Sequence, residues 1–317
     1  MPYLYLIVAA FMCSSSSVVG RLFSRKTEGE KGATKFYNGL QLVSIFFIWS
    51  ILYAFNFSFD AKVLPYSLLF GISFIGSNVG TINALKHGPT MLTALFNSLS
   101  LILTTVWGFI FWKTEITVVI VVGLILVTMA IYLCLYTGKK EKKKFSWKWR
   151  LFVLMAFTGN AGCSIVQRTQ QMQFDGQHKF MLMAFATFLA AIAGMVLYVS
   201  GRKTRKEEEL KKSWYFPITA GVGNVLLNLF VLLLATSALS PSLIYPVIGV
   251  GGLMIVTLVS LFIFKEKLKG QQWLGIVLGA VAIVLLSIYK LNCSDLMKNT
   301  GNSLCFLTFA WILIGGL

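Results

Sequence analysis

Hydroxyl and amide side chains recur at helical spacing inside one long apolar run, and such groups can hydrogen-bond a small solute. Thr93, Asn97, Ser100 and Thr104 are separated by four, three and four residues. Residues at this spacing share one face of a helix. Polar side chains are costly in lipid and usually face the bundle interior or a water-filled cavity. The stripe therefore predicts a surface that binds a ligand or, alternatively, one that only hydrogen-bonds a neighbouring helix.

Other apolar runs carry polar groups that could line the same cavity. Asn224 and Asn228 lie one helical turn apart, and Tyr245 precedes Pro246, a proline expected to bend its helix and act as a hinge. Serine hydroxyls can bond the carbonyls of their own helix, so the serines are weaker candidates than the asparagines. The predicted substrate cavity is lined by Ser14, Ser17, Ser77, Asn78, Thr93, Asn97, Ser100, Asn160, Ser164, Asn224, Asn228, Tyr245 and Gly249.

The charged residues narrow the kind of solute. No Asp or Glu lies in the middle of any long apolar run, whereas a carrier that exchanges cations for protons commonly needs a carboxylate there. We therefore expect a neutral, zwitterionic or anionic solute. Arg168, near the end of one run, is a possible contact for a carboxylate or phosphate, or else it extends to the membrane interface. Glu115 and Glu266 each open a run, where a carboxylate stabilises the positive end of a helix dipole.

The chain lacks the residue patterns of a cofactor or metal site. The five cysteines are scattered and form no C-x-x-C pair, so neither a disulfide framework nor a zinc site is indicated. The two histidines, His87 and His178, are far apart, and no nucleotide-binding P-loop is present. A membrane-embedded enzyme would need a nucleophile–base pair or metal ligands at membrane depth. We therefore predict no cofactor, no metal and no catalytic residue.

Composition identifies a multi-pass membrane protein. Of 317 residues, 57% are hydrophobic and 12% are charged, with a mean hydropathy of +0.77, whereas soluble domains carry about 25% charged residues. A bilayer core needs about 20 apolar residues per helix. Ten segments qualify: Tyr3–Val19, Phe36–Phe57, Pro65–Leu85, Thr90–Trp112, Ile116–Tyr136, Trp149–Val166, Phe180–Val199, Tyr215–Leu239, Ser242–Phe264 and Trp273–Tyr289.

The net charge of +17 is distributed so that it predicts orientation and not nucleic-acid binding. Most of the 28 Lys and Arg residues lie in the odd-numbered loops between the ten segments, including the clusters at 139–150 and 202–212. Basic loops remain in the cytoplasm. We therefore expect cytoplasmic odd-numbered loops and both termini outside the cytoplasmic (plasma) membrane of a prokaryotic cell.

The two halves of the chain repeat one another at a constant offset of 152 positions. The repeated residues include Pro65 with Pro217, Gly71 with Gly223, Pro89 with Pro241, Lys113 with Lys265 and Gly123 with Gly275. Each half then holds five helices, and because five is odd, the second half must cross the membrane in the opposite sense. Two inverted halves with a midplane site between them are typical of secondary transporters. The predicted units are residues 1–138 and 149–290, with a basic linker at 139–148 and a tail of unknown role at 291–317.

The doubled pattern of an acid followed by a glycine, Glu115 with Gly123 and Glu266 with Gly275, resembles the EamA-like branch of the drug/metabolite transporter superfamily. Arg21 and Arg168, which close the first helix of each half, add to the resemblance over residues 1 to about 290. The resemblance implies an all-α integral membrane fold in which ten helices surround a central cavity. Helices 5 and 10 would lie at the periphery. Many relatives keep their termini in the cytoplasm, whereas the charges of this chain predict the reverse.

These features together predict a secondary transporter of a small organic metabolite, driven by a gradient or by exchange, that works by alternating access. A multidrug exporter of the same superfamily is the alternative, and a membrane-embedded enzyme or a non-transporting scaffold is more remote. The expected partners are the solute and the lipid bilayer, with no nucleic acid. Gly275 and Gly279 form a small-xxx-small pattern that could pair two protomers or pack internally, so both a monomer and a homodimer remain open.

Overall fold

A computed structural model describes residues 2–27, 30, 32–87, 90–112, 116–135, 147–201, 210, 212–237, 239–262, 270–271, 273–282 and 285. Across these ranges the chain is helical, with short turns and no strand. The helices are α1 Pro2–Lys26, α2 Ala33–Phe55, α3 Leu64–His87, α4 Thr90–Phe111, α5 Val118–Leu135, α6 Trp147–Gln173, α7 Lys179–Gly201, α8 Tyr215–Ala235, α9 Pro241–Phe262 and α10 Trp273–Ala282. A 3-10 helix, Ala61–Val63, precedes α3.

The chain is an integral membrane protein. Six helices in the described ranges, α1, α2, α3, α6, α7 and α8, contain a stretch long and apolar enough to cross a bilayer. The remaining four have shorter apolar stretches, of which Val118–Leu133 in α5 is the longest. Each of the ten predicted segments overlaps one of these helices. The predicted end of segment ten, the linker at 139–146, the carboxylates of Glu115 and Glu266 and the tail beyond 285 lie outside the described residues.

Two helices extend well beyond their predicted apolar segments. The α1 helix continues from the predicted end at Val19 to Lys26, and α6 continues from Val166 to Gln173. A hydropathy window stops at the first polar residues, but Gln, Arg and Lys are good helix formers and allow the helix to continue. The extension of α6 places Gln167 and Arg168 within a helix instead of at its end.

Helices that are five places apart in the chain have nearly equivalent packing neighbours. The α1 helix packs against α8 and α9, as α6 packs against α3 and α4. The α2 helix packs against α7 and α8, as α7 packs against α2 and α3. The α4 and α9 helices, which exchange with each other, are also in contact.

The α2 and α7 helices approach closely at a pair of glycines. A Cβ atom on Gly39 would lie 2.8 Å from the carbonyl oxygen of Gly194, and a Cβ on Gly194 would lie 2.8 Å from the Cβ of Leu42. The α2 and α7 helices, each the second helix of its half, are therefore in close contact at these glycines.

Two apolar clusters flank this contact. One joins α1, α5, α8, α9 and α10 around Leu6, Ile131 and Ile248, and the other joins α2, α3, α6, α7 and α8 around Trp49, Phe70 and Leu182. On α10, a Cβ at Gly279 would lie 2.9 Å from Val250 Cγ1 of α9. That glycine of the small-xxx-small pattern therefore packs within the chain, and the predicted homodimer remains a prediction.

Candidate functional site

The α6 helix carries a line of polar residues into the interior of the bundle. Asn160, Ser164 and Arg168 follow one another at intervals of four residues, which keeps them near one face of the helix. Ser164 and Arg168 are each 8% exposed. Gln167, beside this line, is 2% exposed and faces α8. The polar end of α6 is thus surrounded by other helices.

An amide and hydroxyl cluster joins α6 to α4 and α3. The Nδ2 atom of Asn160 donates to Ser100 Oγ at 2.6 Å and to the carbonyl oxygen of Asn97 at 3.2 Å. Asn97 Nδ2 donates in turn to Thr81 Oγ1 of α3 at 3.0 Å. The other amide atom, Asn97 Oδ1, is buried and has no hydrogen-bond partner among the described residues. The cluster therefore keeps one acceptor that no described residue satisfies.

One turn further along α6, Ser164 meets α9. The α9 helix begins at Pro241, a residue suited to the first helical position, and this start places Tyr245 one turn inside the bundle. Tyr245 is 1% exposed, and its hydroxyl donates to the carbonyl oxygen of Ser164 at 3.2 Å. A hydroxyl and an aromatic ring from the second half thus lie beside the polar line of α6.

The next residue of the line, Arg168, is buried and lies against an aromatic ring. Its guanidinium carbon is 5.6 Å from the ring centroid of Trp112, just beyond α4. The Nε and Nη1 atoms are buried and have no hydrogen-bond partner among the described residues. Neighbouring helices cover Arg168, and α6 continues past it to Gln173, so both the anion contact and the interfacial position stay predictions.

A second branch of the polar line connects α6 to α8. Gln167 Nε2 donates to Asn228 Oδ1 at 2.8 Å, and Asn228 Nδ2 donates to the Oδ1 and carbonyl oxygen of Asn224 at 3.0 and 2.9 Å. Asn224 and Asn228 therefore meet α6 as a pair on one helical face. Trp112 was absent from the predicted cavity, because its position marked only the end of a predicted segment.

Several of the predicted cavity residues form hydrogen bonds or packing contacts within the bundle. Ser14 Oγ donates to the carbonyl oxygen of Phe11 at 2.6 Å, and Asn78 Nδ2 donates to that of Phe74 at 2.8 Å. The backbone of Ser77 lies against Gly159 of α6, where an added Cβ would be 2.6 Å from the Ser77 nitrogen. Gly249 is buried within α9, and α9 continues through Pro246 as one helix. The side chains of Ser17, Arg21 and Thr93 lie outside the described residues.

The comparisons with known proteins agree with a membrane transport role. A family model described as sugar transport protein matches residues 20–291. A relative, the probable 4-amino-4-deoxy-L-arabinose-phosphoundecaprenol flippase subunit ArnE of Pseudomonas savastanoi pv. phaseolicola, is 32% identical over 83 residues. That match spans 26% of this chain and 65% of the relative, which is less than two thirds of the relative's length.

A protein of known crystal structure shares the fold. The two structures superpose with a TM-score of 0.68, covering 90% of this chain and 96% of the other. Their sequences are 12% identical. At this level of identity the likeness concerns the path of the backbone alone.

Proposed function

Because the chain belongs to the sugar transport protein family, and is thus a membrane transporter of the drug/metabolite transporter kind, we propose that it is a secondary transporter of a small organic metabolite. The observation that carries the proposal is the polar line of α6. Asn160 and Ser164 lead from the amide cluster of α4 to Tyr245 of α9 inside an otherwise apolar membrane bundle. Polar groups placed at such a cost usually mark the path of a solute.

The transporter works by alternating access between two inverted five-helix repeats. The exchange of helix pairs described above supports this arrangement, and so does the close approach of α2 and α7, the second helix of each half. Halves related in this way can rock about a fixed site. In the proposal, the hydrogen bonds between α4 and α6 open in another state of the cycle, and the solute replaces them.

The solute is polar and is not an exchanged lipophilic cation. No described helix contains an Asp or Glu, and the described carboxylates, Glu30, Asp60 and Asp175, all lie between helices. The hydroxyl and amide groups around Asn97 offer hydrogen bonds to a neutral, zwitterionic or anionic molecule. This composition favours a metabolite over the lipophilic drugs of the alternative, and we expect no catalytic activity.

The sequence match to the ArnE relative favours a second candidate function. That relative's name assigns it to a flippase for a lipid-linked amino sugar. In this function, the protein would move the polar head group of a lipid along the polar residues of α6, while the lipid tail stays in the bilayer. The match covers a quarter of the chain, so transport of a free metabolite remains the leading proposal.

In this proposal the protein lies in the cytoplasmic membrane with its basic loops inside. Trp147 and Trp214, which flank two basic segments, are 72% and 54% exposed. Indole side chains favour the membrane–water interface. Both lie at the ends of helices that we place on the cytoplasmic side.

Counterflow in liposomes tests the proposed function. The purified full-length protein is reconstituted into liposomes loaded with one unlabelled solute from a panel of sugars, amino acids, organic acids and sugar phosphates. Accumulation of the same radiolabelled solute from outside is then measured. We expect counterflow with at least one solute, reduced in Asn97→Ala and retained in Asn38→Ala, because Asn38 bonds only its own helix. Absence of counterflow with every solute of the panel contradicts the proposal.

A further inference from the structure

Arg168 places a positive charge inside the bundle without a described negative partner. It is 8% exposed, and two of its three guanidinium nitrogens, Nε and Nη1, lack hydrogen-bond partners among the described residues. A buried charge is strongly unfavourable unless an opposite charge or hydrogen bonds compensate it. An arginine that merely stabilised the fold would satisfy these nitrogens with carbonyl or carboxylate oxygens.

The groups nearest to Arg168 orient it but leave its charge uncompensated. Trp112 offers the face of its ring at 5.6 Å, a weak attraction for a cation. Tyr245, on α9, donates its hydroxyl proton to Ser164. The described carboxylates lie between helices, and none of them forms an ion pair with Arg168. The guanidinium is therefore held in place by aromatic and helical neighbours, while no described residue accepts from its Nε and Nη1 atoms, which can bind an anion.

A second uncompensated group defines the other end of the site. Asn97 Oδ1 is a buried acceptor with no partner among the described residues. It belongs to the cluster of Asn160, which lies eight residues before Arg168 on α6, a rise of about 12 Å along the helix axis. Among the described residues, the interior thus presents unpaired donors toward one end of α6 and an unpaired acceptor toward the other, and the hydroxyl of Tyr245 bonds Ser164 between them.

We propose that the transported solute is an organic anion whose carboxylate or phosphate binds Arg168 and whose hydroxyl or amino group donates to Asn97. This inference rests on the proposed transport function and narrows its substrate class. Carboxylate and phosphate share the geometry that a guanidinium binds through two parallel hydrogen bonds. The anion belongs either to a free solute or to a lipid that carries a phosphate.

Binding measurements on the purified full-length protein in detergent test the inference. The probes are succinate, inorganic phosphate and glucose 6-phosphate as free anions, phosphatidic acid in the micelle as a lipid phosphate, and glucose as the uncharged comparison. The variants are Arg168→Met, Arg168→Lys and Arg150→Met, the last being an exposed arginine of the same helix. The thermal unfolding midpoint is recorded against probe concentration.

We expect at least one anion to raise the unfolding midpoint of the wild type and of Arg150→Met. Its half-saturating concentration should increase about 10-fold or more in Arg168→Met. The increase should be smaller in Arg168→Lys, because lysine keeps the positive charge but cannot form two parallel hydrogen bonds to the anion. Without probe, Arg168→Met should be as stable as the wild type or more stable, because an uncompensated charge has been removed. Binding of phosphatidic acid alone would assign the anion to a lipid.

Three results would overturn the inference. The first is failure of every anion to bind the wild type, and the second is binding that Arg168→Met leaves unchanged. The third is that Arg168→Met and Glu115→Gln each lower the unfolding midpoint and that the double variant loses less than the sum of the two. That result would show that Arg168 forms a structural ion pair with Glu115. If Arg168→Met transported glucose in counterflow at the wild-type rate, the transport function would be supported and the anionic substrate class would be refuted. The proposed function and the proposed substrate class can therefore fail separately.

Discussion

Asn160 of α6 donates a hydrogen bond of 2.6 Å to Ser100 Oγ of α4, and so joins the fourth helix of the first half to the first helix of the second. The same amide donates to the carbonyl oxygen of Asn97, which also accepts a hydrogen bond from Ser100 Oγ. In the proposed alternating access between the halves, contacts of this kind break and form again. In that proposal the bond is both a structural link and the place where the solute competes.

The coupling between Asn160 and Ser100 should be measurable. In a double-mutant cycle of Asn160→Ala and Ser100→Ala, we expect an interaction free energy of about 0.5–1.5 kcal/mol, the range found for hydrogen bonds between membrane helices. Unfolding of the purified protein in mixed micelles gives the four free energies. Asn38→Ala paired with Ser100→Ala is the control and should be additive, since Asn38 bonds the Thr34 carbonyl of its own helix.

Tyr245→Phe should lower solute affinity more than it lowers stability. The change removes the hydroxyl that lies 3.2 Å from the Ser164 carbonyl and keeps the ring that fills the core. A neutral hydrogen bond contributes about 1 kcal/mol net, so we expect an unfolding change of about that size or less. In counterflow the half-saturating solute concentration should rise several-fold. Tyr3→Phe, at an exposed position, serves as control, and equal affinity in both variants would remove Tyr245 from the site.

Gly39→Ala should destabilise the contact between α2 and α7. The added Cβ would lie 2.8 Å from the carbonyl oxygen of Gly194 and 2.8 Å from Tyr198 Cβ, so one helix must shift. Overpacking of this kind costs about 1–3 kcal/mol, measured as a lower unfolding midpoint. Gly270→Ala is the matched control, because its Cβ would meet nothing within 4 Å. Equal midpoints for the two variants would show that α2 and α7 are not in tight contact.

The predicted orientation in the membrane can be tested at the two ends of α6, which lie on opposite sides of the membrane if the helix crosses it. Single cysteines at Lys148 and Asp175, both exposed, are introduced into a chain whose native cysteines are replaced. We expect an impermeant maleimide to label the cysteine at 175 in intact cells and the one at 148 only after permeabilisation. The opposite pattern would reverse the topology and place the basic loops outside.

Much of the architecture can be predicted from the sequence because its signals are local. Apolar runs of sufficient length require helices in a bilayer, since every backbone group must be satisfied within its own segment. The offset of 152 positions, which pairs Pro65 with Pro217 and Pro89 with Pro241, predicted two repeated halves. Ten such runs predicted the positions of helices α1 to α10. The polar residues at the ends of α1 and α6 were left out of the predicted segments, because the criterion measures hydropathy alone.

The site depends on contacts between helices that are far apart in the sequence. Asn97 and Asn160 belonged to the candidate set on composition alone, and the packing of α4 on α6 brought them together. Ser14 and Asn78 have similar sequence signals but bond their own helices. Nothing local distinguishes these two cases, because a polar side chain can satisfy itself along its helix or across to a neighbour.

The sequence by itself determined that this chain is a bundle of membrane helices with few interior charges, because solvation in lipid acts on each segment separately. Only the tertiary structure decided that Arg168 is buried beside Trp112 and without a described negative partner. The burial of a side chain depends on which helices surround it, and that is set by the packing of the whole bundle.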